Sequence, residues 1–141
     1  HEYYLHNVNT YSGYGTYIVE YPNNLLGGSI DGQYASLGAA YSSSQAMIIA
    51  NTGEAASGHI YMYGYTHSGY TSELYVYVSN DYQNWYQVGS KKTIPTTSPY
   101  WIDIGTYSND FQYMVLLVYC DGAYDVSYIH IDAVLVIPSV P

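Results

Sequence analysis

Strict alternation of aliphatic residues with tyrosines is the feature that most limits what this chain can fold into. In residues 59–65, Ile60 and Met62 alternate with a histidine and three tyrosines. In residues 74–78, a leucine and two valines alternate with two tyrosines. Successive side chains of a β-strand point to opposite faces. Both runs therefore predict strands with an aliphatic inner side and a tyrosine outer side.

The loop at residues 66–72, which contains Gly69, is expected to join these two strands as a hairpin. Their aliphatic sides would then share the core, and their tyrosines would form one outer face. The residues predicted for that face are Tyr61, Tyr63, Tyr65, Tyr75 and Tyr77.

Similar short β-rich runs follow along the whole chain, separated by Gly, Asn-Asp, Ser and Pro, and no segment favours a helix. We predict strands near residues 2–9, 14–21, 34–40, 45–51, 58–66, 73–79, 84–89, 99–104, 111–120 and 125–137. Regular spacing of this kind predicts an all-β fold, an antiparallel β-sandwich or jelly roll.

Two of these runs have a predicted place in the sandwich. Residues 113–120 are apolar on both faces, which predicts a central strand covered on both sides. The last strand is expected to point alternate residues inward and to carry His130 and Asp132 on its other face. The residues expected to point inward are Ile129, Ile131, Ala133, Leu135 and Ile137.

Charge excludes several classes of partner. The 141 residues include 11 acidic residues but two lysines and no arginine, which gives a formal net charge of −9. A protein that binds nucleic acid needs a basic patch that neutralises phosphates, and a protein that binds an anionic membrane surface needs one too. Two lysines are too few for either partner. Charged residues make up 9% of the chain, against about 25% in a typical soluble domain, while tyrosine occurs 22 times. No run is long and apolar enough for a membrane span. Such a surface is typical of a secreted protein that meets sugars or copies of itself.

The N-terminal segment is expected to be an arm that precedes the main domain. The chain starts at His1 rather than Met, which favours a mature secreted chain after leader removal. Residues 1–13 are strand-like and end in a Gly-containing stretch, whereas residues 14–141 make up the single sandwich domain. An arm of this kind can pair with the exposed sheet edge of a neighbouring copy. The residues predicted for this donor strand are Tyr3, Tyr4, Leu5 and Val8.

Three motifs resemble one known family. Residues 24–38 (NLLGGSIDGQYASLG) resemble a loop of many secreted sandwich domains. Residues 75–89 (YVYVSNDYQNWYQVG) look like the hairpin of discoidin-type, galactose-binding-like domains, and residues 131–136 (IDAVLV) are similar to their closing strand. The motifs occur in the family's order and the resemblance covers about residues 15–137. The chain departs from the family in its scarcity of Lys and Arg and in the extra residues 1–13.

This resemblance implies a fold that is mostly non-catalytic and binds glycans, lipids or proteins. Many related jelly rolls hold a structural calcium ion near the first loop and the closing strand. Asp31 matches an acidic loop position of the family and Asp132 the acidic residue of its closing strand, while Glu20 would approach from the preceding strand. Calcium takes six to eight oxygen ligands, and these carboxylates would supply some of them. The alternative is that Asp31 stabilises a turn and Asp132 is simply exposed.

No catalytic residues are predicted, because the sequence contains no nucleophile elbow, zinc-protease motif, phosphate loop or Cys-x-x-Cys motif. An N-terminal histidine can form a copper brace with a second histidine, but the spacing favours no partner for His1 among the other four. Cys120, in an apolar run, is expected to be a small buried hydrophobe. Trp85 and Trp101 are expected to be core or sheet-edge anchors.

Two functions remain for the tyrosine face. The leading hypothesis is a secreted structural subunit, without enzymatic activity, that assembles with its own copies into an extracellular filament or surface layer. Exchange of the N-terminal strand and contact through the tyrosines would hold the copies together. The alternative is a lectin-like protein that stacks sugars on the aromatic face.

Overall fold

The computed structural model describes residues 3–4, 7–21, 30–120 and 126–138, with side chains for 17–21, 30–40, 44–52, 56–120 and 126–138. All regular structure in these ranges is β-strand, as predicted. The strands are β1 (Tyr3–Tyr4), β2 (Asn7–Glu20), β3 (Ala35–Thr66), β4 (Ser72–Ser79), β5 (Tyr86–Gln87), β6 (Lys92–Ile94), β7 (Tyr100–Cys120) and β8 (Ser127–Ile137). Within the described ranges, no helix is long and apolar enough to cross a membrane.

Two long strands, β3 and β7, run through both layers of an antiparallel sandwich. In the first layer, residues 59–66 of β3 lie between residues 100–107 of β7 and strand β8. In the second layer, residues 44–51 of β3 lie between β2 and residues 113–120 of β7, and β4 pairs on the far side of β7. Register shifts at several points along β3 and β7 interrupt the ladder where these strands pass between the layers.

One aliphatic core fills the space between the layers. Ile60, Met62 and Ile104 enter it from the first layer, and Ile48 and Leu116 enter it from the second. The predicted alternation in residues 59–65 and 74–78 is confirmed, because the aliphatic members of both runs are buried and the tyrosines are half-exposed. Cys120 is fully buried, as expected.

The predicted hairpin between residues 59–65 and 74–78 is wrong. Residues 59–66 pair with β7 and β8 of the first layer, whereas β4 pairs with residues 113–117 of β7 in the second layer. Because the core separates the layers, the tyrosines of the two runs lie on opposite outer surfaces. This arrangement arises because β3 and β7 each extend from one layer into the other, and no local sequence pattern predicts that extension. Strand β6, which pairs with β4, was also missed.

A β-bulge in β8 corrects the predicted orientation of the last strand. Tyr63 lies opposite Ala133, but Gly64 lies opposite Ile131, so Asp132 is the extra residue. Beyond the bulge the alternation is reversed, since Val134 and Val136 join the core cluster. Ile129 and Ile131 point inward as expected. Three residues expected to point inward lie outside that cluster: Ala133, Leu135 and Ile137.

The N-terminal strands pair within their own chain. Tyr3 and Tyr4 lie opposite Val136 and Leu135 of β8, and Val8 lies opposite Ala50 of β3. Strand β2 continues across the boundary predicted between residues 13 and 14. The described residues of the arm therefore pair in cis. Exchange between copies stays a prediction, and Leu5 lies outside the described residues.

Candidate functional site

An aromatic face covers the outer surface of the first layer. Tyr61, Tyr63 and Tyr65 lie on it at every second position of β3, while Ile60 and Met62 point into the core between them. In an edge-to-face contact, the rings of Tyr34 and Tyr65 lie 5.0 Å apart. This ladder is the part of the predicted tyrosine face that the structure keeps together.

Strand β7 adds a tryptophan to the ladder. Trp101 lies directly opposite Tyr63, with ring centroids 5.1 Å apart at an angle of 59°. It is 41% exposed, so of the two positions expected for Trp101 its ring does not take the core one, whereas the sheet-edge position stays a prediction. The alternation of Trp101 with the buried Ile102 and Ile104 was the signal in the sequence that could have identified it.

The surface beside Tyr61 is a shallow concavity of about 300 Å³. It is lined by Tyr61 of β3, Trp101 of β7, and Leu135 and Ile137 of β8. Leu135 and Ile137 reach this surface because the bulge at Asp132 reverses the alternation of β8. Aromatic and aliphatic groups therefore surround an open depression.

Gly58 allows the end of β8 to approach β3 at this face. It has a φ of +141°, and a Cβ atom placed there would lie 2.1 Å from the backbone oxygen of Ile137. Any residue with a side chain would displace Ile137 from the concavity.

Polar groups border the concavity on one side. Nε2 of His59 lies 2.5 Å from Oδ1 of Asp103, and its Nδ1 shares a 2.7 Å hydrogen bond with Oγ1 of Thr106. The imidazole also stacks on Tyr61 with ring centroids 4.5 Å apart. The Asp103 side chain is 66% exposed and lies opposite Tyr61 in the pairing of β3 with β7. An exposed carboxylate therefore adjoins the aromatic rings.

A second polar cluster lies at the other end of the face. His130 shares hydrogen bonds with Oγ of Ser36 (2.7 Å) and Nδ1 of His67 (2.9 Å), and its ring packs on Tyr65. Burial, together with the neighbouring His67, lowers the pKa of His130 below its usual value. His67 in turn stacks on Tyr128, with centroids 4.3 Å apart.

Asp132, predicted to be a calcium ligand, anchors the loop before β3. Its Oδ1 accepts a hydrogen bond from the backbone N–H of Asp31 (3.2 Å) and its Oδ2 one from Gly32 (3.0 Å). The side chain is buried rather than exposed. Burial raises its pKa, although the two backbone donors act in the opposite direction. Asp31 stabilises the adjoining turn by accepting from the N–H of Gln33.

The calcium site itself stays a prediction. Each carboxylate oxygen of Asp132 accepts one backbone hydrogen bond, and burial and the nearby Asp31 carboxylate both contribute to raising the pKa of Asp132. Glu20 is exposed, and among the described residues no three His, Cys, Asp or Glu side chains are grouped so that they could hold a metal ion. His1 and His6 lie outside the described residues, and the copper brace likewise stays a prediction.

Tyr77 lies on the outer surface of the second layer, on the opposite side of the core from the aromatic face. It lines an apolar groove of about 330 Å³, together with Met47, Ile49, Tyr82, Trp85, Val115 and Leu117. Tyr75 lies on the same strand, opposite Leu117. The central position predicted for residues 113–120 is confirmed, although the outer side of this strand is covered in part by the groove's aromatic residues.

No protein-family model and no curated protein matches the sequence. Solved structures do match. The CBM32 domain of AlyQ, in complex with 4,5-unsaturated mannuronic acid, is 12% identical with a TM-score of 0.61, and the match covers 96% of this chain and 98% of that one. Chitosan-binding module 1 of a chitosanase/glucanase from Paenibacillus sp. IK-5 is 18% identical with a TM-score of 0.57, over 94% and 96% of the two chains.

The lectin domain of lectinolysin, complexed with Lewis B antigen, is 11% identical with a TM-score of 0.57, over 93% of each chain. Identities this low establish the fold alone. The chain has the discoidin-type, galactose-binding-like β-sandwich that the three sequence motifs predicted.

Proposed function

We propose that this chain is a secreted, non-catalytic carbohydrate-binding protein, and that its ligand stacks on the aromatic face at Trp101 and Tyr63. The observation that carries the proposal is the exposed Trp101 ring beside Tyr63, next to an open concavity and bordered by the Asp103 carboxylate and His59. This was the alternative function expected from the sequence.

The chemistry of a sugar ring fits this arrangement. A pyranose has an apolar face of C–H groups and a rim of hydroxyls. Aromatic rings offer a flat apolar surface for the C–H face. The hydroxyl of Tyr63 and the oxygens of Asp103 can accept hydrogen bonds from the sugar hydroxyls. The concavity is shallow and open, so it suits one or two sugar residues of a chain that continues on either side.

The similar structures support the proposal as analogues. They are binding modules for mannuronic acid, chitosan and the Lewis B antigen, and each match extends over nearly the whole of both chains. Because a fold alone does not determine a function, the aromatic face is the feature that favours sugar binding in this chain.

The filament hypothesis has weaker support. The three similar structures described above are carbohydrate-binding domains by their descriptions, and Tyr3, Tyr4 and Val8 of the predicted donor strand pair within their own chain. It stays a prediction, which electron microscopy of the native protein would check.

The test is a binding titration with soluble oligosaccharides by calorimetry. Trp101→Ala should weaken binding at least tenfold, since that corresponds to a loss of about 1.4 kcal/mol at a central aromatic contact. Trp85→Ala is the matched control, because it removes the same ring from the opposite surface, and it should leave binding unchanged. Loss of binding in Trp85→Ala alone would move the site to the groove. No saturable binding to any sugar in a broad set would overturn the function.

A further inference from the structure

We propose that the aromatic face takes glycans that carry free amino groups and rejects glycans that carry carboxylates or sulfates. This inference rests on the proposed function and adds to it the chemical class of the ligand. It follows from where the charged side chains lie.

Neither lysine lines the concavity of the aromatic face. Nζ of Lys91 lies 3.2 Å from Oε1 of Glu73, a residue of β4. Lys92 lies in β6, opposite Leu74 of β4, and its Nζ lies beside Gly89, which packs on the backbone of Ile104 in β7. Lys91 and Lys92 are the only Lys or Arg residues of the 141, so no other part of the chain supplies one.

An acidic sugar in the concavity would therefore meet no Lys or Arg among the residues that line it. Recognition of a carboxylate or sulfate in proteins ordinarily uses Arg or Lys, which form charge-assisted hydrogen bonds with it. The remaining basic group beside the concavity is His59, and its Nε2 already faces Asp103. The formal net charge of −9 adds a repulsion that acts over about one Debye length, about 10 Å at moderate salt.

An amino sugar would meet a suitable partner in Asp103. This residue is two positions from Trp101 on the same strand and the same face, a separation of about 7 Å along the strand. That is close to the width of one sugar ring, so a sugar stacked on Trp101 brings its substituents to the carboxylate. One carboxylate oxygen, Oδ1, faces Nε2 of His59, but the side chain is 66% exposed, so the carboxylate remains accessible to an ammonium group.

The expected preference is modest because the ion pair is exposed to solvent. Exposed pairs contribute about 0.2–1 kcal/mol, which corresponds to about a threefold difference in affinity near the middle of that range. The preference should shrink as salt is added, whereas stacking on Trp101 should be less affected.

The experiment compares three oligosaccharides of equal length: glucosamine, N-acetylglucosamine and galacturonic acid oligomers. Calorimetric titrations at about pH 6 and low salt would use the wild type, Asp103→Asn and Asp110→Asn. Asp110→Asn is the matched control, because it removes the same charge from an exposed position seven residues further along β7. We expect the glucosamine oligomer to bind about threefold more tightly than its acetylated form, and the galacturonic acid oligomer to bind most weakly.

Asp103→Asn should remove the glucosamine preference, and Asp110→Asn should keep it. Equal weakening for all three sugars in Asp103→Asn would instead make this residue a general hydrogen-bond acceptor and overturn the inference. Binding of the galacturonic acid oligomer as tight as that of the glucosamine oligomer would overturn it as well. Either result leaves the carbohydrate-binding function intact, provided that Trp101→Ala still weakens binding.

Discussion

The two outer surfaces of the sandwich are both rich in aromatic residues but differ in what surrounds the rings. The aromatic face carries Trp101 with the Asp103 carboxylate and two histidine clusters beside it. The groove on the opposite surface carries Trp85 among aliphatic side chains such as Ile49 and Val115. One surface offers stacking together with hydrogen-bonding groups, and the other offers apolar contact.

A count of tyrosines therefore does not locate a binding site. Tyr63 and Tyr77 occupy equivalent outward positions in alternating strands. Tyr63 lies opposite an exposed tryptophan, whereas Tyr77 shares a groove with the half-buried Trp85 and with Val115 and Leu117. Sugar recognition needs polar partners at the rim of the ring, so the cross-strand neighbours decide which tyrosines are suited to it.

The largest effect on stability is expected from Asp132→Ala. This change removes the acceptor of two backbone N–H groups and frees the loop at Asp31 and Gly32 from β8. We expect a loss of about 2 kcal/mol in the free energy of unfolding, measured by urea denaturation, because the donors lose their partner and a buried side chain leaves a gap.

If the loop also supports the aromatic face, sugar binding should weaken in Asp132→Ala. A variant as stable as the wild type would show that water replaces the carboxylate without cost. A fall in the melting temperature of the wild type when chelator is added would instead favour the calcium prediction.

A smaller effect distinguishes the two tryptophans by stability rather than by binding. Trp85 is half-buried, contacts Tyr82 edge-to-face at 5.5 Å and lines the groove, whereas Trp101 is 41% exposed. Trp85→Ala should therefore cost about 1.5 kcal/mol in unfolding free energy and Trp101→Ala less than about 1 kcal/mol. The order should be the reverse of their effects on sugar binding. If the same tryptophan had the larger effect on both stability and sugar binding, the two surfaces would not have separate roles in packing and recognition.

The smallest effect is a dependence of stability on pH that originates at the aromatic face. Burial and His67 lower the pKa of His130, so the folded protein favours the neutral imidazole and binds fewer protons than the unfolded chain. The stability from this group is present above about pH 6.5 and is lost as the pH falls below that value.

Urea denaturation between about pH 7 and about pH 5 should show this decline, and His130→Gln should flatten it. Asp132, whose pKa is raised, has the opposite sign: its stabilising contribution is lost as the pH rises through the folded-state pKa, above the ordinary value. The difference between wild type and His130→Gln isolates the histidine. An unchanged slope in the variant would place the pH dependence elsewhere.

Alternation in the sequence predicted most of the strand residues and, for most of these, which side faces the core. In β3, Ile60 and Met62 alternate with Tyr61 and Tyr63, which is the period of a strand. This local pattern is enough to predict that the two aliphatic side chains are buried. The three discoidin-type motifs likewise predicted the fold that the solved structures share with this chain.

Contacts between distant parts of the folded chain establish which strands are neighbours and where the alternation changes. The bulge at Asp132 reverses the last strand and exposes Leu135 and Ile137, a displacement of one residue that no hydrophobic pattern records. The pairing of β7 with β3 brings Trp101 to Tyr63 and Asp103 to Tyr61. Strand pairing depends on contacts between residues far apart in the chain, so the site arises from a register that the alternation of any one strand leaves open.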